Sequence, residues 1–107
     1  MKWHKLAQSG SVPVERSSHS ITNVGSHIFL FGGEHDPRTP INSDIHSYNV
    51  SNGEWTLQTP SGVAPDPRVA HTATVVDSQI YVFGGRSGKE MGEGAYADLH
   101  AFDAERC

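Results

Sequence analysis

The chain of 107 residues holds one cysteine, Cys107, at its last position. An intrachain disulfide and any cysteine-rich metal site are therefore excluded. No apolar run approaches the length of a membrane helix. The opening Met1-Lys2-Trp3-His4 lacks the apolar core of a signal peptide. A reducing intracellular compartment, the cytoplasm or nucleus, is the expectation that follows. The net charge is −4 and no basic stripe is present, which disfavours nucleic acid and acidic membranes as partners. No segment carries a long helical period. Apolar residues come in short runs bounded by turn residues, so only strands are expected.

What the chain does have is an internal repeat. Phe31-Gly32-Gly33 and Phe83-Gly84-Gly85 each close a short apolar run, and Gly32 and Gly84 stand 52 positions apart. The same offset links Trp3 to Trp55, Pro13 to Pro65, Arg16 to Arg68, His19 to His71 and Val24 to Val76. A period near 50 residues points to the blades of a propeller. The length accommodates about two units, whereas about three or more are normally needed for a stable array.

The first unit reads as strands at about Ser18–Val24, His27–Phe31, Asp44–Val50 and Glu54–Thr59. Gly25-Ser26 and Asn52-Gly53 supply hairpin turns. The second reads as Ala70–Val76, Gln79–Phe83 and Asp98–Asp103, with a loop longer by two residues. It stops before a fourth strand. Trp3-His4-Lys5-Leu6 aligns with the strand at Trp55 and reads as strand four of another blade. The expected division is 1–12 as that closing strand, 13–60 as a complete blade, and 61–107 as a blade lacking its last strand. Apolar residues on both faces of Ile28–Phe31 imply a strand covered on both sides. Phe31, Phe83, Ile28, Ile80, Trp55 and Val76 are expected to be buried between blades.

Arg-x-x-His, apolar-Phe-Gly-Gly, Asp-x-x-x-aromatic and Trp together resemble the kelch repeat over essentially the whole chain. The fold implied is all-β: about two four-stranded antiparallel blades of an incomplete kelch-type propeller. Within kelch proteins the residues Trp3, Arg16-Ser17-Ser18-His19, Phe31-Gly32-Gly33-Glu34 and Phe83-Gly84-Gly85-Arg86 are most similar to the nitrile-specifier and epithiospecifier group. That likeness implies that Met1 is a genuine start and that the chain is an N-terminal fragment of a longer propeller.

Arg86 and Glu34 follow the double glycines, where loops gather at one end, and are the candidate ligand-binding residues. In specifier proteins the matching Arg is implicated in holding the substrate's anionic group, and a guanidinium grips sulfate or carboxylate through two parallel bonds. The structural alternative is a loop Arg paired with a carboxylate of a neighbouring blade. Glu34 lies near His35, Asp36 and Asp44, whose oxygen and imidazole groups suit Fe(II) or Mn(II) in kind but not in spacing. The Glu-x-x-x-Asp iron motif of specifiers is absent: Arg38 follows Glu34 by four, and Gly94 follows Glu90 by four. No metal ligand, catalytic residue or cofactor is assigned to this chain, and Fe(II) belongs only to a full-length specifier-like protein. His19, His71, Arg16 and Arg68 recur once per blade and read as blade architecture, each His bonding locally. The copper site of galactose oxidase, another kelch propeller, cannot be placed. There is no Gly-x-Ser-x-Gly elbow, and Gly84–Lys89 lacks the spacing of a phosphate loop.

The leading expectation is a module that binds a protein or a small-molecule ligand through the loops after Gly33 and Gly85. The rival is part of an Fe(II)-dependent nitrile-specifier-like enzyme acting on glucosinolate hydrolysis products, inactive as this fragment alone. A third reading is a purely structural pair of blades. Open blade edges also suggest a homo-oligomer.

Overall fold

The computed structural model describes residues 1–36, 39–87 and 94–105. Arg38, Lys89, Glu90 and Cys107, used above, lie outside the described residues. Eight strands run in chain order: β1 Ser9–Gly10, β2 Ser20–Val24, β3 His27–Phe31, β4 Ile45–Asn49, β5 Glu54–Leu57, β6 Thr72–Val76, β7 Gln79–Phe83 and β8 Leu99–Asp103. They form a five-stranded sheet ordered β1-β5-β4-β3-β2 and a three-stranded sheet ordered β6-β7-β8. Among the described residues no helix is long and apolar enough to cross a membrane.

The hairpins follow from local sequence. Gly25 has φ +60° and Gly53 has φ +74°, in the left-handed region that glycine enters without cost. Asp77 takes the place of Gly25 in the second unit at φ +54°. Antiparallel pairing sets Ile28 opposite Tyr48, and Tyr48 opposite Trp55. In the second sheet Ile80 faces Phe102. The two units thus repeat one register.

Alternation along the strands decides the core. Phe29 and Phe31 of β3 meet Ile80 and Val82 of β7 between the sheets, with Val24, Ile45, Val75 and Phe102 around them. The Phe29 and Phe102 rings lie 5.7 Å apart. The burial expected of Phe31 and Ile80 is present. Ile28 and Trp55 are half-buried and lie on the opposite face of the first sheet. There Trp55 packs 5.1 Å from Tyr48, and its Nε1–H donates to Gln8 Oε1 at 2.6 Å. Trp55 is therefore a packing residue, but not one between these two blades. Phe83 and Val76 correct the expectation outright: they are 50% and 54% exposed. Both point away from the first sheet, because their strand neighbours Val82 and Val75 point toward it.

The blade that the Trp3 segment is expected to complete is not among the described residues. Trp3–Leu6 form no strand, and Trp3 is 99% exposed. Instead Ser9 and Gly10 pair in parallel with Glu54 and Trp55. Nothing in a Ser-Gly dipeptide signals that edge.

Candidate functional site

The double glycines build the loop end of the inner strands. Gly33 has φ +100° and Gly85 has φ +90°. A Cβ on Gly33 would stand 2.7 Å from the Ser17 carbonyl, and one on Gly85 2.7 Å from that of Val69. Only glycine permits both the φ and the approach. The next residue is then clamped in each blade. The Glu34 N–H donates to Ser17 O at 2.8 Å and the Ser17 N–H to Glu34 O at 2.9 Å. Arg86 and Val69 exchange the same two bonds at 3.0 Å each. Glu34 and Arg86 thus occupy one structural position in successive blades.

Their side chains differ in setting. Arg86 is exposed, and its guanidinium has no hydrogen-bond or ion-pair partner among the described residues. Glu34 is half-buried and engaged. The structure places the two candidates at equivalent loop positions rather than gathering them into one cluster.

Beneath Arg86 lies a charged assembly that the sequence reading missed. Arg68 is fully buried. Its guanidinium donates to both carboxylate oxygens of Asp98, at 2.5 and 2.9 Å, to Gly84 O at 3.0 Å and to Asp66 O at 3.1 Å. The Tyr96 ring lies 4.1 Å from its central carbon. His100 Nε2 sits 2.9 Å from the second Asp98 oxygen. The bonds from Arg68, then that from His100, hold the Asp98 carboxyl well below the usual carboxylate range. Arg16 occupies the matching place in the first blade, bonded to Val14 O at 3.1 Å and Gly32 O at 3.2 Å. It is half-exposed. The recurrence of an Arg and an Asp once per blade, Arg16 with Asp44 and Arg68 with Asp98, is the signal that could have revealed this pairing.

His71 joins the blades. Its Nε2 lies 2.7 Å from Ser20 Oγ of the other sheet, and its ring meets Phe31 edge-on at 5.2 Å. The expected local bond is thus an inter-blade one. Burial first, then Arg68 and His19, push its pKa down, so the neutral ring is favoured. Two backbone bonds reinforce the seam: the Gly33 N–H to Arg68 O at 3.0 Å and the Ala70 N–H to Ser18 O at 3.1 Å.

The inter-blade cavity is about 100 Å³ and lined by Phe29, Phe31, Ile80, Val82 and the 60–65 connection. That is smaller than the roughly 300–1,000 Å³ of ordinary ligand pockets. An iron site does not fit the described residues. Among the described residues no three His, Cys, Asp or Glu side chains converge, and His35 Nδ1 lies 3.1 Å from the Glu15 carbonyl.

With this geometry in view, the comparisons decide the family. A family model described as the KLHDC2/KLHL20/DRC7 Kelch-repeats domain matches residues 1–107. The chain belongs to the kelch-repeat family. Among its relatives, the Rho GTPase-activating protein gacHH of Dictyostelium discoideum is 37% identical over 103 residues, 95% of this chain and 7% of that protein. The N-(sulfonatooxy)prop-2-enimidothioate sulfolyase of Thlaspi arvense is 35% identical over 104 residues, 95% of this chain and 29% of the relative. Human Kelch domain-containing protein 3 is 36% identical over 88 residues, 82% of this chain and 23% of the relative. The kelch chain therefore spans less than a third of the length of these curated relatives.

Proposed function

We propose that this kelch-repeat chain is a recognition module that binds an anionic group of a protein or small-molecule ligand at the loop end beside Arg86. The observation that carries this reading is the exposed Arg86 guanidinium, clamped through its backbone and without a side-chain partner among the described residues. A guanidinium binds sulfate and carboxylate alike through paired N–H donors. The relative from Thlaspi arvense is named for a substrate with a sulfonatooxy group, an anion of that kind.

Titration of the chain with inorganic sulfate, followed by amide chemical shifts, tests the site. Shifts should concentrate around Arg86 and disappear in Arg86→Ala, while Arg86→Lys keeps a weakened response. An identical response in Arg86→Ala overturns the assignment. The enzyme reading, part of an Fe(II)-dependent nitrile-specifier-like protein, draws support from the same relative, which matches 95% of this chain. Because the described residues do not fit an iron site, no reaction step is derived for it.

A further inference from the structure

The seam between the two blades closes around one imidazole. His71 is 8% exposed. Ala70 before it stands at φ +57°, a left-handed conformation that a residue with a Cβ rarely adopts. The ring reaches the other blade, where Nε2 lies 2.7 Å from Ser20 Oγ. Ser20 Oγ gives its own proton to Phe31 O at 3.4 Å. The short contact is therefore a donation from the His71 Nε2–H, and Nδ1 carries the lone pair. Nδ1 is buried and has no hydrogen-bond partner among the described residues. Gly32 of the other blade lies against that side of the ring: a Cβ there would stand 2.5 Å from Cε1 and 3.1 Å from Nδ1. The Gly32 carbonyl is already engaged by Arg16 at 3.2 Å.

We propose that His71 makes this seam a proton-operated joint: a proton on Nδ1 parts Gly33 from Arg68 and Ala70 from Ser18, while each sheet stays paired. Those two backbone bonds, at 3.0 and 3.1 Å, flank the ring. A proton on Nδ1 creates a donor with no acceptor, and a buried donor left unpaired weighs against the closed seam. The remedy is local. Opening at the loop end brings water to the ring, whereas the apolar contacts of Phe29, Ile80 and Phe102 lie farther along the strands and do not depend on that proton. The loop end that carries Arg86 sits directly on this joint. A Cβ on Gly85 would stand 3.0 Å from both the Cβ and the N of His71.

The charges around the ring act in the same direction. Arg68, from the connection before β6, and His19, from the segment before β2, both oppose a second cation, after burial itself. Arg68 is tied to Asp98, and beyond the double glycines stand Glu34 and Arg86. No carboxylate bonds the ring among the described residues. The closed seam thus holds His71 below its ordinary pKa, opening takes up a proton, and acid favours the open form. The closed form keeps its full advantage above about pH 6.5 and loses it as pH falls. One proton changes the opening constant by up to about tenfold per pH unit.

Amide hydrogen exchange from pH 8 to 5, corrected for the intrinsic chemical rate, tests the joint. Protection at the Gly33 and Ala70 amides should fall by up to about tenfold per pH unit below about 6.5, while the amides of β3 and β7 change little. Equal changes at the seam and in the strands, or none at the seam, overturn the proposal. His71→Gln keeps a side-chain N–H for Ser20 but cannot take up the proton, and should abolish the seam's pH dependence; a dependence that persists in it also overturns the proposal. Should that variant not fold, the histidine ring nitrogens of the unaltered chain decide. At pH 8 His71 should show the Nε2–H tautomer, and its protonation should track the loss of protection at Gly33 and Ala70. The opposite tautomer, or protonation at a different pH from the opening, refutes the joint. Arg86→Ala leaves the ring and its partners in place and should not alter the exchange pattern, so this test and the anion titration can fail independently.

Discussion

The repeat offers an internal control for the cost of a buried cation. Arg68 and Arg16 stand at one position in two blades, yet Arg68 is fully buried and Arg16 half-exposed. Replacing Arg68 with Met keeps an apolar stem and removes the guanidinium. Gly84 O, itself buried, loses its donor from Arg68, at about 1–3 kcal/mol for an unsatisfied buried carbonyl. The stack on Tyr96 contributes about 0.5–2 kcal/mol more. Asp98 is exposed enough for water to replace most of what its partner supplies, so the ion pair adds only a small further stabilisation here. The expected loss is about 2–4 kcal/mol. Arg16→Met removes two carbonyl bonds at a half-exposed site that water can enter, and should cost about 1 kcal/mol. With a urea slope of about 2 kcal/mol/M, the midpoints should fall by about 1–2 M and about 0.5 M. If Arg68→Met unfolds the chain in water, Arg68→Lys should still fall further than Arg16→Lys, because an ammonium cannot reproduce the fork. Equal shifts at the two positions would refute the argument that burial, not residue type, sets the cost.

Phe31→Ala empties a buried site between the sheets and should lower stability by about 3–5 kcal/mol; a urea midpoint that does not move would sink the packing assignment. Stability should also decline as pH falls below about 6.5. Burial lowers the pKa of His71 from its ordinary 6.5, so the unfolded chain takes up a proton first. The depressed Asp98 adds a second loss below its ordinary 3.8, since its contribution is complete only above that value. Urea midpoints from pH 3 to 8 follow the upper step and the onset of the lower one, and His71→Gln should reduce the upper one, with His46, likewise pushed down by burial, supplying the remainder. Finally, this chain with a thioglucosidase, a glucosinolate and Fe(II) should form no nitrile above the no-protein control; nitrile above it would restore the enzyme reading.

Much of the blade was legible because its signals are local. The apolar run at Ile28–Phe31, the turn at Gly25 and the double glycines each state their own conformation, and the 52-residue offset copies them. β3 and β7 fall where the pattern puts them. What the sequence could not state is which copy of a face finds a partner. Phe31 and Phe83 are the same residue in the same motif, and alternation points both to the same side of their blades. One side is covered by β7 and the other by nothing among the described residues, so one is core and the other surface. Periodicity reports a side chain's direction and not what lies there.

The same limit governs the site. That Arg86 and Glu34 are equivalent was readable from the motif, because each follows a double glycine. That Glu34 is engaged and Arg86 open was not, because partners come from loops without a period. Arg68 shows the reverse case: its recurrence marked it as architecture, and its fourfold donation to Asp98, Gly84 and Asp66 explains why an arginine is used there. A lysine could not fill that fork. Repetition in this chain therefore sorts its cations. Arg16 and Arg68 recur because every blade needs its loop end tied, whereas Arg86 departs from its repeat partner Glu34. Blade geometry demands only a backbone clamp at that position and leaves the side chain free to vary. A binding role is best sought where the repeat breaks its own pattern on an exposed loop, and Arg86 is that position here.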